Sequence, residues 1–118
     1  MGRDVEIVRS LRPRWKLWLE KRGTYVFGPG AYTLLRAIQK TGSLSEGARL
    51  AGMSYRYAWG VIRKIEKQLG VKLIETHRGG AVGGGGATVT EAALELMSVF
   101  SKISDEFERV AAHTSSGD

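Results

Sequence analysis

The chain has 118 residues, which is typical of one domain, and it contains no cysteine, which excludes disulfide frameworks, thiolate metal sites and cysteine nucleophiles. Residues 1–90 hold sixteen basic and six acidic residues, whereas residues 91–118 hold two basic and six acidic ones. This imbalance indicates either a surface for a polyanion, most often nucleic acid, or a basic protein kept soluble by its charge.

Targeting segments and metal clusters are not expected. The N-terminus runs directly into charged sequence, and no uncharged apolar stretch approaches the roughly 18 residues of a membrane span. With two histidines in the chain, a histidine-rich metal cluster is also excluded. We therefore expect a protein of the cytoplasm, without a membrane partner and without a cofactor of its own.

Residues 11–27 are predicted to form a β-hairpin. Apolar and basic side chains alternate along residues 11–19, which is the period of a half-buried strand, with Trp15, Leu17 and Leu19 on one side. Residues 20–23 end in glycine and supply a turn. Residues 24–27 are β-branched and aromatic, as expected of a second strand.

Residues 43–69 are predicted to form a helix-turn-helix. A preceding helix runs to Gly42, and Ser43 with Glu46 forms a capping box that opens a short helix ending at Gly52. Ser54 caps a further helix that stops at about residue 69. Its predicted inward stripe is Ala58, Ile62, Ile65 and Leu69. Two helices joined by a tight glycine-containing turn are also found in generic helical hairpins.

Residues 71–89 extend this prediction to a winged helix. Two strand-like runs, at 71–76 and 87–89, flank a loop with six glycines in residues 79–86. In a winged helix the tip of this hairpin lies along the sugar-phosphate backbone, and glycine lets backbone N–H groups approach phosphates closely. The predicted fold is therefore mainly α with small β (α+β), with residues 1–90 as the DNA-binding domain.

Residues 90–112 are predicted to form a long helix for dimerisation, followed by a disordered tail at 113–118. Thr90 is a suitable N-cap, and apolar residues recur at alternating spacings of three and four, which is an a/d seam. The seam consists of Ala93, Leu96, Phe100, Ile103, Phe107 and Val110. It is shorter than a diagnostic coiled coil, so packing of this helix on its own domain remains an alternative.

The runs GSLSEGA at 42–48 and GMSYRYAW at 52–59 resemble the DNA-binding domain of ModE-type molybdate-responsive transcription regulators. The glycines at 79–80 and 83–86, followed by Thr90, resemble the wing of that family, and residues 70–75 are more distantly similar to LysR-type regulators. The resemblance covers about residues 11–112. It implies a winged-helix homodimer with the helix at 54–69 in the major groove of double-stranded DNA.

Two departures from the ModE-type pattern alter what is expected. Such regulators commonly carry a C-terminal molybdate-binding region, and this chain ends before one could begin, so an effector is not expected here. Ala93 stands where many relatives have glycine, and we expect this difference to affect helix packing only.

The expected DNA-binding residues lie at the start and on the outer face of the predicted recognition helix and at the wing. They are Ser54, Tyr55, Arg56, Trp59, Arg63, Lys64, Arg78, Gly79 and Gly80. Arg56 is the candidate for base readout, because its planar guanidinium can pair with guanine. Tyr55 is predicted to contact a phosphate or a thymine methyl group, and Arg63, Lys64 and Arg78 are predicted to contact phosphates. For Trp59, core packing and DNA contact are both open.

Other functions fit the sequence less well. The glycine loop lacks the Gly-Lys-Ser/Thr of a phosphate-binding loop, and the two histidines suggest no catalytic triad, so an enzyme is not expected. A sequence-tolerant architectural (nucleoid-type) DNA-binding protein is the main alternative to a specific transcription regulator, and for the regulator too we expect association with the nucleoid in the cytoplasm. An RNA-binding or protein-binding winged helix is a further alternative.

Overall fold

The computed structural model describes residues 2–78 and 85–115. In chain order the elements are α1 (Gly2–Arg9), β1 (Leu19–Lys21), β2 (Thr24–Phe27), α2 (Pro29–Thr41), α3 (Leu44–Leu50), α4 (Tyr55–Leu69), β3 (Ile74–His77), β4 (Gly86–Val89) and α5 (Glu91–Ser115). The strands β1 and β2 form one antiparallel pair, and β3 and β4 form another. This composition of helices and two small sheets confirms the predicted α+β class.

Local sequence signals set the ends of α2, α3 and α4. Gly42 and Gly70 both adopt left-handed backbone (φ 72° each) and donate to carbonyls four residues earlier, at 2.7 Å. Ser43 and Ser54 each accept a hydrogen bond at 3.1 Å from the backbone N–H three residues later. Because serine caps and left-handed glycines are encoded locally, these ends agree with the sequence prediction.

The predicted capping box at the start of α3 is only half formed. Ser43 accepts from the backbone N–H of Glu46, but the Glu46 carboxylate does not return to the backbone of Ser43. It accepts instead from Arg49, with 2.7 Å between Oε1 and Nη2, while the N–H of Ser43 donates to Thr41 Oγ1. The arginine one turn along the helix therefore replaces the backbone as the partner of this carboxylate.

The hydrophobic core lies between α2, α4, the two strand pairs and the first half of α5. Its largest fully buried side chains are Phe27, Leu34, Leu35, Ile38, Ile62 and Leu73. The predicted inward stripe of α4 is found at Ala58, Ile62 and Ile65, which are buried, and Leu69 packs partly buried against them. This packing fixes which face of α4 is left on the surface.

Gly47 permits the close crossing of α3 over α2. A Cβ at this position would lie 2.7 Å from Ile38 Cγ1 and 2.9 Å from the Ile38 backbone Cα and N. Backbone atoms cannot move aside as a flexible side chain does, so even one methyl group would push the two helices apart. The orientation of the helix-turn-helix therefore depends on glycine at residue 47.

We expect Gly47→Ala to lower the free energy of unfolding by about 1–3 kcal/mol, the usual cost of overpacking. Gly60→Ala is the matched control, because Gly60 also lies within a helix but a Cβ there meets nothing within 4 Å. Replacing that glycine should stabilise the fold by up to about 1 kcal/mol through helix propensity. Urea denaturation of both variants measures the contrast, and equal stability would contradict the steric account.

The N-terminal hairpin is shorter than predicted. β1 begins at Leu19 and not at residue 11, and it pairs Leu19 with Phe27 and Lys21 with Thr24 around the left-handed turn of Arg22 and Gly23. The partner strand has only four residues before Gly28 and Pro29 end it, so residues 11–18 have no strand opposite them. Alternation of side chains over 11–19 was therefore a misleading signal for strand length.

Two further differences concern the ends of the chain. Residues 2–9 form α1, which the sequence analysis did not predict, and none of these eight residues is buried. The predicted disordered tail at 113–118 is wrong for residues 113–115, because α5 continues to Ser115. Residues 111 and 112 are alanines, which favour helix, so α5 continues beyond Val110.

Candidate nucleic-acid interface

The outer face of α4 is polar and basic. Arg56, Gly60, Arg63 and Lys67 are all exposed, opposite the buried stripe that faces the core. The one carboxylate of this helix, Glu66, is occupied elsewhere, since its Oε2 accepts from the backbone N–H of Leu73 at 2.8 Å. The exposed side of the helix is therefore left with an uncompensated positive charge.

The first turn of α4 presents three large side chains to solvent. Tyr55 and Arg56 are exposed, as the sequence analysis predicted, while the hydroxyl of Ser54 already accepts from the backbone N–H of Tyr57. Tyr57 is 62% exposed and was not among the predicted contact residues. The sequence could have indicated that Tyr57 is exposed, because this tyrosine directly precedes Ala58, the first residue of the inward stripe, and is not itself part of that stripe.

Trp59 and Arg63 form a stacked pair on the flank of α4. The Arg63 guanidinium carbon lies 5.3 Å from the centre of the Trp59 ring, within the range of a cation–π contact. Trp59 is half-buried and packs against the core cluster. The ring therefore serves core packing on one side and orients Arg63 on the other, while Lys64 on the next position is exposed.

A second basic side chain near the helix-turn-helix is already paired. Arg49 donates to Glu46, and this hydrogen bond, followed by the attraction of the charges, raises the pKa of Arg49. Both side chains are largely exposed, so the pair is worth little to stability. It does reduce the positive charge that α3 offers to a polyanion.

The base of the wing is fastened to the helix-turn-helix. Ala87 N–H donates to Gly42 O at 2.8 Å, which joins β4 to the turn between α2 and α3. Thr90 donates through its hydroxyl to Lys72 O at 2.7 Å and through its N–H to Leu73 O at 3.0 Å. Arg78 is exposed at the end of β3. The predicted contacts Gly79 and Gly80 lie outside the described residues.

The predicted dimerisation seam divides into two parts. Ala93 and Phe100 are buried within the domain, and Leu96 packs partly buried against the same core. Phe100 contacts the rings of Phe27 and Tyr32, with centroid distances of 5.4 and 5.2 Å. For Ala93 and Phe100 the assignment to a dimer interface is therefore wrong, because their apolar surface is already covered by the chain itself.

The second half of the seam has a different environment. Ile103 is half-buried, whereas Phe107 is 47% exposed and Val110 is also exposed. The Phe107 ring contacts Trp15, with 6.1 Å between the centroids, so the segment after α1 lies beside distal α5. On α1 and directly after it, Val5, Ile7, Val8 and Leu11 are exposed. We use the term terminal apolar surface for the exposed apolar side chains near the two ends of the chain, which are Val5, Ile7, Val8, Leu11, Trp15, Phe107 and Val110.

Residues 2–78 and 85–115 contain neither a candidate metal site nor a membrane-spanning helix. Within these ranges no three His, Asp or Glu side chains lie close enough together to hold a metal ion. None of the described helices is both long and apolar enough to cross a bilayer.

A helix-turn-helix whose second helix has a basic outer face, followed by an antiparallel wing, defines a winged helix-turn-helix. Residues 30–94 match the family described as "Bacterial regulatory helix-turn-helix protein, lysR family". The chain belongs to this family. It is a regulatory helix-turn-helix domain in which the helix at 55–69 has a basic outer face.

Relatives and one solved structure agree with this assignment. The chain is 40% identical over 97 residues to the "Transcriptional regulator ModE" of Yersinia pestis, covering 82% of this chain and 34% of that protein. It is 33% identical, with the same coverage of both chains, to the "DNA-binding transcriptional dual regulator ModE" of Escherichia coli (strain K12). The structure of ArgP from Mycobacterium tuberculosis has the same fold, with a TM-score of 0.54 at 18% identity over 72% of this chain and 30% of that one. The chain thus spans about a third of the length of these relatives.

Proposed function

We propose that this chain is the DNA-binding part of a transcription regulator that binds a specific duplex sequence as a homodimer. The observation that carries the proposal is the exposed basic face of α4, whose one carboxylate is tied to the backbone of Leu73. The names of the ModE relatives support regulation of transcription. In this arrangement α4 lies in the major groove, Arg56 reads base edges, and the wing follows the backbone.

The terminal apolar surface supports a homodimer. An isolated helix shorter than about 12–15 residues is marginal in water, and α1 has eight residues of which none is buried. In a two-fold dimer, α1 and the exposed part of α5 of one copy would be covered by the same two segments of the other copy. On distal α5, Arg109 hydrogen-bonds to Glu106 and lowers the pKa of that carboxyl group. This exposed polar pair is suited to a face of α5 that stays in contact with solvent in the dimer.

Titration of the purified chain with its own upstream DNA and with shuffled DNA, at several salt concentrations, tests the proposal. We expect a preference of about a thousandfold or more at physiological salt, as specific regulators have. Footprinting should then show two half-sites about one helical turn, roughly 34–36 Å, apart. Equal affinity for both duplexes, fading together with salt, would indicate an architectural DNA-binding protein. No duplex binding at low salt would favour an RNA or a protein partner.

Arg56→Ala is expected to relax sequence preference. A bidentate contact from arginine to guanine contributes about 1–3 kcal/mol of discrimination, and Arg56 is exposed in the first turn of α4 with no ion pair among the described residues. Selection of preferred sequences from a randomised pool by the wild type and the variant would measure the change. An unchanged preference would remove Arg56 as the base-reading residue.

Arg78→Ala is the comparison, because the same charge is removed from the base of the wing. A phosphate contact fixes position without reading sequence, so affinity should fall about equally for specific and shuffled DNA. The slope of the logarithm of affinity against the logarithm of salt should also fall, by about one. A loss confined to the specific duplex would contradict a backbone contact for Arg78.

A further inference from the structure

A groove of about 530 Å³ lies where α4 ends and the chain turns toward β3. We call it the basic groove, and it is lined by Arg63, Glu66, Lys67, Gly70, Val71 and Lys72. Its three cations are exposed, and no salt bridge joins any of them to a carboxylate within the described ranges. The expected DNA contacts include Arg63 but neither lysine, so two cations here have no assigned role.

The one carboxylate that lines the basic groove has a structural task. Glu66 is half-buried, and its Oε2 accepts from the backbone N–H of Leu73 at 2.8 Å. Leu73 is fully buried, and leaving a buried N–H unpaired is costly. A carboxylate beside a polyanion opposes binding, so its presence in this groove calls for another purpose, and the hydrogen bond to Leu73 supplies one. Three positive charges against one negative charge still leave the groove positive.

The backbone that carries Lys72 is fixed between α4 and the start of α5. On the side of α4, the Glu66 carboxylate accepts from the N–H of the next residue, Leu73. On the other side, Thr90 donates through its hydroxyl to Lys72 O at 2.7 Å and through its N–H to Leu73 O at 3.0 Å. The Thr90 hydroxyl also accepts from the N–H of Ala93 at 3.2 Å, so this anchor is itself held at the first turn of α5. The exposed side chain of Lys72 therefore projects from a backbone that is held in one place.

We propose that the basic groove binds a phosphate of the DNA backbone, with Lys72 as the contact residue and Glu66 as the residue that positions it. The proposal rests on the proposed DNA-binding function. Arg63 and Lys67 are about one turn apart, about 6 Å along the axis of α4, and Lys72 continues this row of cations past the end of the helix. Lys72 precedes β3 and Arg78 follows it, so the row leads toward the wing. A row of cations of this kind neutralises successive phosphates of one strand.

Lys72→Ala tests the phosphate contact. Affinity should fall by roughly tenfold for the specific and the shuffled duplex alike, as expected for one charge-assisted hydrogen bond. The slope of the logarithm of affinity against the logarithm of salt should fall by about one, and the preferred sequence should stay that of the wild type. Lys102→Ala is the matched control, because it removes the same charge from an exposed position on α5 outside the groove, and it should keep the wild-type slope.

Glu66→Gln and Glu66→Met test the positioning role. Glutamine keeps an oxygen that can accept from the N–H of Leu73, whereas methionine keeps the length of the side chain without a strong acceptor. Both replacements remove one negative charge, so an effect of charge alone would be the same in both. In the Glu66→Gln background, Lys72→Ala should still lower DNA affinity by roughly tenfold. In the Glu66→Met background it should lower affinity by less than about twofold, because Lys72 is already misplaced there.

DNA titrations of these single and double variants at several salt concentrations decide the outcome. A wild-type slope in Lys72→Ala would overturn the phosphate site while leaving the DNA-binding function in place. The same loss from Lys72→Ala in both Glu66 backgrounds would overturn the positioning role, since a carboxylate that served stability alone would not change what Lys72 contributes. Absence of duplex binding by the wild type would overturn the proposed function as well, and it is seen before any variant is compared.

Discussion

Phe107→Glu is expected to convert the proposed homodimer into monomers and to lower affinity for a two-half-site duplex by about 10²–10⁴-fold. Phe107 is exposed and contacts Trp15, so it links distal α5 to the segment that follows α1. A carboxylate buried between two copies would lack a partner and oppose association. Each monomer would then bind its half-site alone and lose the effective concentration that a linked second domain supplies.

Sedimentation and DNA titration of the same samples measure this effect. Leu94→Glu is the matched control, because Leu94 is exposed to a similar degree on the first half of the same helix. That variant should remain dimeric and keep its affinity. Monomers from Leu94→Glu, or a persistent dimer from Phe107→Glu, would place the interface elsewhere on α5.

Phe100→Ala is expected to lower the free energy of unfolding by about 3–5 kcal/mol, the usual cost of truncating a buried phenylalanine. Phe100 is 5% exposed and packs edge-on against Phe27 and stacked on Tyr32. Since domains are stable by about 5–15 kcal/mol, this loss is a large fraction of the total. The helix-turn-helix would lose its support from α5.

Urea denaturation of Phe100→Ala and Phe107→Ala at equal protein concentration separates the roles of these two residues. Both residues come from the same apolar seam, but only Phe100 is buried within one chain. The midpoint should fall strongly for Phe100→Ala at any protein concentration. For Phe107→Ala the change should depend on protein concentration, as it does when a residue acts through a dimer. A loss below about 1 kcal/mol for Phe100→Ala would contradict its place in the core.

The helix-turn-helix was the part of the fold most accessible from sequence. Serine caps and left-handed glycines act within a few residues of themselves, so Ser54 and Gly70 mark the ends of α4 without knowledge of its surroundings. The inward stripe then identifies the outer face by elimination. Arg56, Arg63 and Lys64 were found in this way, and the structure places all three on the surface.

The environment of α5 and the length of β1 could not be predicted, because both depend on contacts with distant parts of the chain. Spacings of three and four along α5 are the same whether a helix packs on its own domain or on a partner, so the seam could not indicate that Phe100 and Phe107 differ. The length of β1 depended on how many residues β2 offers, and β2 ends at Phe27. The contact between α4 and β2, where Gln68 Nε2 donates to Tyr25 O, likewise joins residues 43 positions apart, and no local pattern encodes it.

The ties between the wing and the helix-turn-helix bear on how the DNA must behave. Glu66 accepts from the backbone N–H of Leu73, and Gly42 O accepts from the N–H of Ala87, so α4 and the α2–α3 turn are both tied to the base of the wing. In the proposed complex these two elements would lose little freedom on binding, and the distance between them could not adjust to a poorly fitting half-site. The duplex would have to supply the adjustment, so base steps that bend easily should be favoured within each half-site, between the groove that α4 enters and the backbone that the wing follows, even where no side chain reaches them.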